Sequence, residues 1–162
     1  MEPRAHAASG VPLSTYGGLA DTASVCLSKG LGAPIGSVLV ASAERIAAGR
    51  LWRKRLGGGM RQVGVLAAAG LYALDHHVER LAEDHEHARL LADRLGVDPA
   101  TVETNMVVVD GVPAPAVAEA AKAQGVLVGQ VSDRRIRLVT HLDVDRAGVE
   151  RAAKVLIEVL GR

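Results

Sequence analysis

Apolar residues recur along this chain with two different spacings, which predicts a mixture of strands and helices. Residues 25–27 and 35–41 are short apolar runs bounded by glycine or proline, a pattern that predicts two buried strands. Before them, residues 5–8 indicate the end of a helix, because Ser9 and Gly10 follow as a stop signal. After them, Ser42 fits an N-cap, so a helix is expected from there to about residue 56.

The longest helical pattern covers residues 60–95. Apolar residues recur there at spacings of three and four, which predicts a long amphipathic helix, bent near Asp75. Its first part has an unusually small-sided face, which permits close backbone packing. That face consists of Gly64, Ala67, Ala68, Ala69 and Gly70.

The pattern after Gly96 predicts a compact α+β unit. Strands are expected at residues 102–109, 126–131 and 135–140, with helices at 114–123 and 145–160. The predicted fold class is therefore α/β. The expected domains are a sheet-containing part (1–75), a connector helix (76–95) and a small C-terminal α+β domain (96–162).

Composition narrows the possible functions. The 162 residues include 2% aromatics, no Phe and a net charge of +1, which disfavours a base-stacking surface and strong attraction to nucleic acid or membrane. Cys26 is the single cysteine, so no intramolecular disulfide forms, and its apolar neighbours predict a small buried side chain. Met1 to Arg4 do not resemble a signal peptide, so we expect a cytoplasmic protein.

The first candidate for chemistry is Lys29, which lies between the two predicted strands beside a cluster of glycines. The spacing of Gly30, Gly32 and Gly36 matches neither a dinucleotide fingerprint nor a P-loop. A partly desolvated lysine beside another cation can form a Schiff base with a carbonyl compound such as pyridoxal phosphate. The alternative is a solvated lysine in an ordinary turn.

The second candidate is the basic, glycine-rich segment 49–64. Its cations could converge on a phosphate or carboxylate, and its glycines let the backbone turn so that several face one anion. A solvated basic helix and a nucleic-acid patch are the alternatives. The cations are Arg50, Arg53, Lys54, Arg55 and Arg61.

The third candidate is a pair of arginines on one predicted strand. Strand alternation puts Arg135 and Arg137 on the same face, where they could clamp a carboxylate; an edge strand protected by charge is the alternative.

His141 is expected to be a hydrogen-bonded structural residue. The four histidines between residues 76 and 87 lack zinc-binding spacing, so no metal site is predicted and we expect surface or packing roles.

Four segments, in this order, resemble the low-specificity L-threonine aldolases. They are "SVCLSKGLGAPIGS", "RKRLGGGMRQVGVLAAAGLYAL", "RLAEDHEHARLLADRL" and "RLVTHLDV". These aldolases are pyridoxal-phosphate enzymes of the β-eliminating lyase group with the aspartate aminotransferase fold. The resemblance implies the C-terminal half of that fold: the remainder of the large-domain sheet, a long connector helix and a small α+β domain.

The resemblance also implies roles for individual residues. Lys29 resembles the lysine that binds the cofactor covalently, and Lys54 and Arg61 resemble basic residues that approach the cofactor from a neighbouring subunit. Arg137 resembles the arginine that receives the substrate carboxylate. The implied reaction is the retro-aldol cleavage of L-threonine or L-allo-threonine to glycine and acetaldehyde.

In the family, further parts of the cofactor site precede the segment that matches this chain. They are a glycine-containing phosphate cup, a histidine stacked on the ring and an H-x-D-G-A-R segment whose aspartate pairs with the pyridine nitrogen. We therefore expect little activity from this chain alone and a partner, either further copies in a dimer or tetramer or a complementary N-terminal half. The alternative is a non-catalytic oligomerisation or anion-binding module.

Overall fold

The computed structural model describes residues 3–162, which form an α/β fold. The chain divides into two compact units, Met1–Leu81 and Ala82–Arg162, and each is described by itself. No helix in the described part of the chain is long and apolar enough to cross a membrane. The first unit contains α1 (Pro3–Ser9), α2 (Leu13–Gly17), β1 (Thr22–Cys26), β2 (Ser37–Ala41), α3 (Ala43–Arg55) and α4 (Gly64–His76).

Strands β1 and β2 form an antiparallel pair in which Thr22 lies opposite Ala41 and Cys26 opposite Ser37. Two strands were expected here, but the expectation that both are buried is wrong, because no residue of β1 or β2 is fully buried and β2 is mostly exposed. The side chains of Val38, Leu39 and Val40 are 45%, 46% and 48% exposed. A strand is buried on both faces only when another layer covers each face.

The core of the first unit is small. It comprises five buried apolar residues from the connection after β1, from α4 and from the start of the helix at Leu81: Leu27, Leu31, Ala33, Ala73 and Leu81. The small-sided face predicted for α4 takes part at one point, because a Cβ on Gly70 would lie 3.0 Å from Leu27 Cδ1. Gly70 therefore allows the end of β1 to approach the helix closely.

The helix expected at residues 60–95 is interrupted rather than only bent, and the interruption begins close to the bend expected near Asp75. Helix α4 ends at His76, residues 77–80 form turns, and α5 begins at Leu81 and continues to Arg94. Nδ1 of His77 donates a hydrogen bond to the Leu31 carbonyl, 2.5 Å away. This contact with a residue distant in sequence fixes the chain where the helix ends.

The second unit contains most of α5 and a layered α+β arrangement. Its strands have the order β3-β5-β4 with both pairs antiparallel, so β5 is the central strand. The alternative that Arg135 and Arg137 protect an edge strand is therefore wrong. The elements are a 3-10 helix (Pro99–Thr101), β3 (Met106–Asp110), α6 (Ala114–Ala123), β4 (Gly129–Ser132), β5 (Arg135–Val139) and α7 (Arg146–Leu160).

Alternation along β3 and β5 separates a buried from an exposed face of this sheet. Val107 and Val109 of β3 and Ile136 and Leu138 of β5 point into the core, where they are joined by buried residues of α5, α6 and α7. Residues 106, 108, 135, 137 and 139 are exposed. The sheet thus has one helix-covered face and one uncovered face.

Candidate functional site

Lys29 lies in the connection between β1 and β2, where the backbone is tightly fixed. The Leu27 N–H donates to the Gly36 carbonyl (3.0 Å), and the Ala33 N–H returns to the Leu27 carbonyl (3.0 Å). Within this loop, the Gly32 N–H donates to the Lys29 carbonyl (2.8 Å). We call residues 27–33 the lysine loop.

Apolar side chains hold the lysine loop on both sides of the lysine. Leu27, Leu31 and Ala33 are buried in the core of the first unit, whereas Lys29 is exposed. The loop therefore presents the lysine side chain outward from a fixed backbone. The partial desolvation expected for Lys29 is not provided by the described residues.

Two glycines make this loop conformation possible. A Cβ on Gly30 would lie 2.7 Å from the guanidinium group of Arg4 and 2.8 Å from Leu81 Cδ2, so a larger residue would force the loop outward. Gly32 has φ of +69°, a left-handed conformation that glycine adopts without strain. Gly30 therefore permits close packing of the loop, and Gly32 permits its left-handed turn.

Cys26 is half-buried at the end of β1, close to the lysine loop; the expectation that it is a fully buried side chain is wrong. Its Sγ lies 3.7 Å from the Ser28 hydroxyl. Hydrogen bonds from the Ser28 side chain and backbone lower the pKa of the Cys26 thiol, and the Lys29 charge contributes less. The lysine loop therefore stabilises a negative charge beside it.

Lys54 lies in the last turn of α3 and Arg61 in the turn before α4, and both are exposed. The glycine segment between them folds back on the helix, since the Gly58 N–H donates to the Arg53 carbonyl (2.8 Å). A Cβ on Gly59 would lie 2.9 Å from Lys54 Cδ. Glycine at position 59 thus leaves room for the Lys54 side chain.

Arg137 belongs to the second unit, on the exposed face of the central strand. Its neighbours across the two ladders are Val108 and Gly129, neither of which carries a charge. Arg135 lies on the same face, as the alternation predicted, but faces Asp110 and forms an ion pair with its carboxylate. Asp110 raises the pKa of Arg135 through this hydrogen bond.

The guanidinium groups of Arg135 and Arg137 therefore differ in how available they are to a ligand, although both lie on the same face of β5. Arg135 is engaged by Asp110, while Arg137 faces uncharged cross-strand neighbours and can bind an incoming carboxylate. Asp110 was not expected as the partner of Arg135, because a cross-strand partner depends on strand register, which two separate strand patterns do not reveal.

The histidines have structural contacts. His141 donates from Nδ1 to the Asp143 carboxylate (3.1 Å), as expected for a hydrogen-bonded residue, and the His76 ring lies 4.3 Å from that of Tyr72. His85 is buried in the second unit. Among residues 3–162, no group of three or more histidine, cysteine or acidic side chains could hold a metal ion.

Comparison with known proteins decides the family. The family model described as beta-eliminating lyase matches residues 4–112. The chain belongs to this family. The match includes the lysine loop and the segment that carries Lys54 and Arg61, whereas Arg137 lies beyond it.

Members with similar sequences are named as aldolases. The chain is 46% identical over 157 residues to "Probable low-specificity L-threonine aldolase 2" of Arabidopsis thaliana, covering 90% of this chain and 44% of that protein. It is 47% identical over 138 residues to the low specificity L-threonine aldolase of Escherichia coli K12, covering 82% and 41%. These relatives confirm the resemblance. The chain spans less than half the length of the curated relatives it matches.

Solved structures support the same fold. A crystal structure from Listeria monocytogenes EGD-E, provisionally named an L-allo-threonine aldolase, matches with a TM-score of 0.73 over 98% of this chain and 50% of that one. An alanine–glyoxylate aminotransferase from Nostoc sp. matches with a TM-score of 0.63. Both are 18% identical to this chain, so they show a shared α/β fold.

Proposed function

We propose that the chain contributes to a pyridoxal-phosphate-dependent threonine aldolase, which cleaves L-threonine or L-allo-threonine to glycine and acetaldehyde. The observation that carries the proposal is the lysine loop, which holds an exposed lysine on a backbone fixed by buried residues on both sides. A covalent cofactor needs such a fixed amine, because the reacting atoms must keep one geometry through the reaction.

The residues fit pyridoxal phosphate in their chemistry. Lys29 would bind the cofactor covalently through Nζ, and Lys54 and Arg61 would neutralise its phosphate from a neighbouring subunit. When bound, the cofactor supplies an acceptor for the electrons released as the Cα–Cβ bond of the substrate breaks. The exposed positions of Lys54 and Arg61 are compatible with reaching another subunit.

Arg137 would orient the substrate. Its planar guanidinium group can bind the α-carboxylate of a β-hydroxy-α-amino acid with two parallel hydrogen bonds. The ion pair between Arg135 and Asp110 supports this assignment to Arg137, because it leaves Arg135 less able to compete for the carboxylate.

The first unit needs a partner in this proposal. Its hairpin and helices expose large apolar side chains, including Leu39 of β2, Trp52 of α3 and Tyr72 of α4. Exposed apolar surface of this extent marks an interface. We propose that the remainder of the aldolase fold, supplied by the same polypeptide, a complementary N-terminal half or a second copy, covers it.

Selective labelling of Lys29 tests the proposal. The purified chain is incubated with pyridoxal phosphate, reduced with borohydride and analysed by absorbance and peptide mass spectrometry. Lys29 is one of four lysines, and we expect most of the label on it. The label should be lost in Lys29→Ala and kept in Lys122→Ala, the matched control on an exposed position of α6.

Equal labelling of all four lysines, or a label unchanged in Lys29→Ala, would contradict the proposal. If the chain instead binds a polyanion such as heparin in a salt-sensitive way, and Arg53→Gln with Arg55→Gln abolishes it, the anion-binding alternative is favoured.

A further inference from the structure

The second unit contains a cavity of about 400 Å³ that the proposed function does not use. It lies against the side of α7 and is bordered by the segment 125–128, which precedes β4. This volume is in the range of small-molecule sites. Arg137 is not among its lining residues.

The inner wall of the cavity is apolar. Leu91 of α5, Leu138 of β5, and Val149 and Leu156 of α7 are buried residues that form this wall. Thr140 also lines it, but its hydroxyl is engaged with the Asp84 carbonyl, 2.5 Å away. An occupant of this part must therefore be apolar, because a polar group would lose its hydrogen bonds to water.

Charged groups of both signs lie along the wall of the same cavity. They are Asp143 and Asp145 in the segment before α7 and Arg151 within α7. All three are exposed. A simple anion would meet two carboxylates and a simple cation a guanidinium group, so a molecule with both charges fits best.

Each of these groups keeps hydrogen-bonding capacity. Asp145 uses Oδ1 to accept the Gly148 N–H (2.8 Å), and Asp143 uses Oδ2 to accept from His141 (3.1 Å). Arg151 uses Nη2 to donate to the Gln124 carbonyl (3.2 Å). One oxygen of each aspartate and the remaining N–H groups of Arg151 are left to bind a ligand.

We propose that this cavity binds a free α-amino acid with an apolar, branched side chain. The ligand carboxylate pairs with Arg151, its ammonium group with Asp143 or Asp145, and its side chain occupies the apolar wall. The charges lie in exposed positions, so each ion pair contributes modestly and the apolar side chain is required for binding. This site does not depend on pyridoxal phosphate or on Lys29.

Titration calorimetry of the chain without cofactor tests the proposal, with L-leucine as the probe. We expect saturable binding of L-leucine and at least tenfold weaker binding of glycine, which lacks the apolar side chain. Two analogues that each lack one charge, 4-methylpentanoate without the ammonium group and 3-methylbutylamine without the carboxylate, should bind about threefold to fivefold more weakly than L-leucine.

Variants locate the site. Arg151→Gln should weaken L-leucine binding about threefold to fivefold, the loss expected for one exposed ion pair. The matched control is Arg146→Gln, an exposed arginine of the same helix that does not line the cavity and should leave binding unchanged. Ala152→Leu, which fills part of the cavity from a half-buried position, should abolish binding while circular dichroism shows a folded chain.

Two results would overturn the proposal. One is the absence of saturable binding, or equal binding of L-leucine and 4-methylpentanoate in both the native chain and Arg151→Gln. The other is loss of binding in Arg137→Gln but not in Arg151→Gln, which would assign the ligand to the proposed substrate carboxylate site.

Discussion

The two units of this chain differ in how much apolar surface they bury. Among the described residues, the core of the second unit contains seventeen buried apolar residues and that of the first unit five. The exposed large apolar residues show the opposite distribution, with fourteen in the first unit and seven in the second. The second unit therefore has the properties of a self-sufficient domain, and the first those of half an interface.

This difference matches the chemistry assigned to each unit. The first unit carries Lys29, Lys54 and Arg61, which the proposed function places at a site shared with another subunit. A site shared between subunits lies at an interface, so the surface around these side chains is one that another chain or segment covers. The second unit carries Arg137 on the exposed face of a sheet whose opposite face packs against the helices of the same unit.

The largest expected effect contrasts a buried position of one sheet with an exposed apolar position of the other. Ile136→Ala, at a fully buried position of the central strand, should lower the free energy of unfolding by about 2–5 kcal/mol through lost burial and a cavity. Leu39→Ala, at a position 46% exposed in β2, should change it by less than about 1 kcal/mol. Urea denaturation followed by circular dichroism measures both. Equal losses would show that β2 is buried in solution by self-association.

A smaller effect is expected at two glycines of the first unit. Gly30→Ala should destabilise this unit by roughly 1–3 kcal/mol, because the new methyl group meets Arg4 and Leu81. Gly64→Ala is the matched control, since nothing outside its own helix backbone and chain neighbours lies within 4 Å of its Cβ position and alanine favours the helix. Hydrogen exchange of the peptide covering residues 27–33 should accelerate only in Gly30→Ala. An unchanged exchange rate would mean that the lysine loop is not held by this packing.

The smallest effect compares the N-caps of α3 and α7. Asp145 Oδ1 accepts the Gly148 N–H at 2.8 Å, whereas Ser42 Oγ accepts the Arg45 N–H at 3.4 Å. Asp145→Ala should therefore cost about 1 kcal/mol and Ser42→Ala clearly less. Thermal unfolding of both variants checks the order. A larger loss for Ser42→Ala would show that the hairpin and α3 contribute more to overall stability than their exposure indicates.

Local signals predicted helix positions well. Helix α6 occupies residues 114–123 as expected, Ser42 caps α3 as expected, and α7 begins one residue after the expected start at Asp145. The short helix α2 was missed because its five residues give no periodic pattern. The candidate site residues were picked out by residue patterns, their individual roles followed from the family resemblance, and all four lie in exposed positions. Their roles remain predictions.

Contacts distant in sequence explain most of the wrong expectations. The break at residues 77–80 contains neither glycine nor proline and coincides with the hydrogen bond between His77 and Leu31. The exposure of β2 follows from how little the rest of the first unit covers its two faces, which two apolar runs do not reveal. Arg135 and Arg137 have different partners because the strand register places Asp110 opposite Arg135 and Val108 opposite Arg137.

The sequence by itself determined the α/β class, the helix caps and the family. These depend on residues within about one helical turn of each other, or on segments that can be recognised in isolation. The tertiary structure alone decided the central position of β5, the full interruption of the helix at residues 77–80, the fixed backbone around Lys29 and the cavity beside α7. Each of these depends on hydrogen bonds or packing between residues far apart in the chain, and a one-dimensional pattern does not specify which of the possible partners meet.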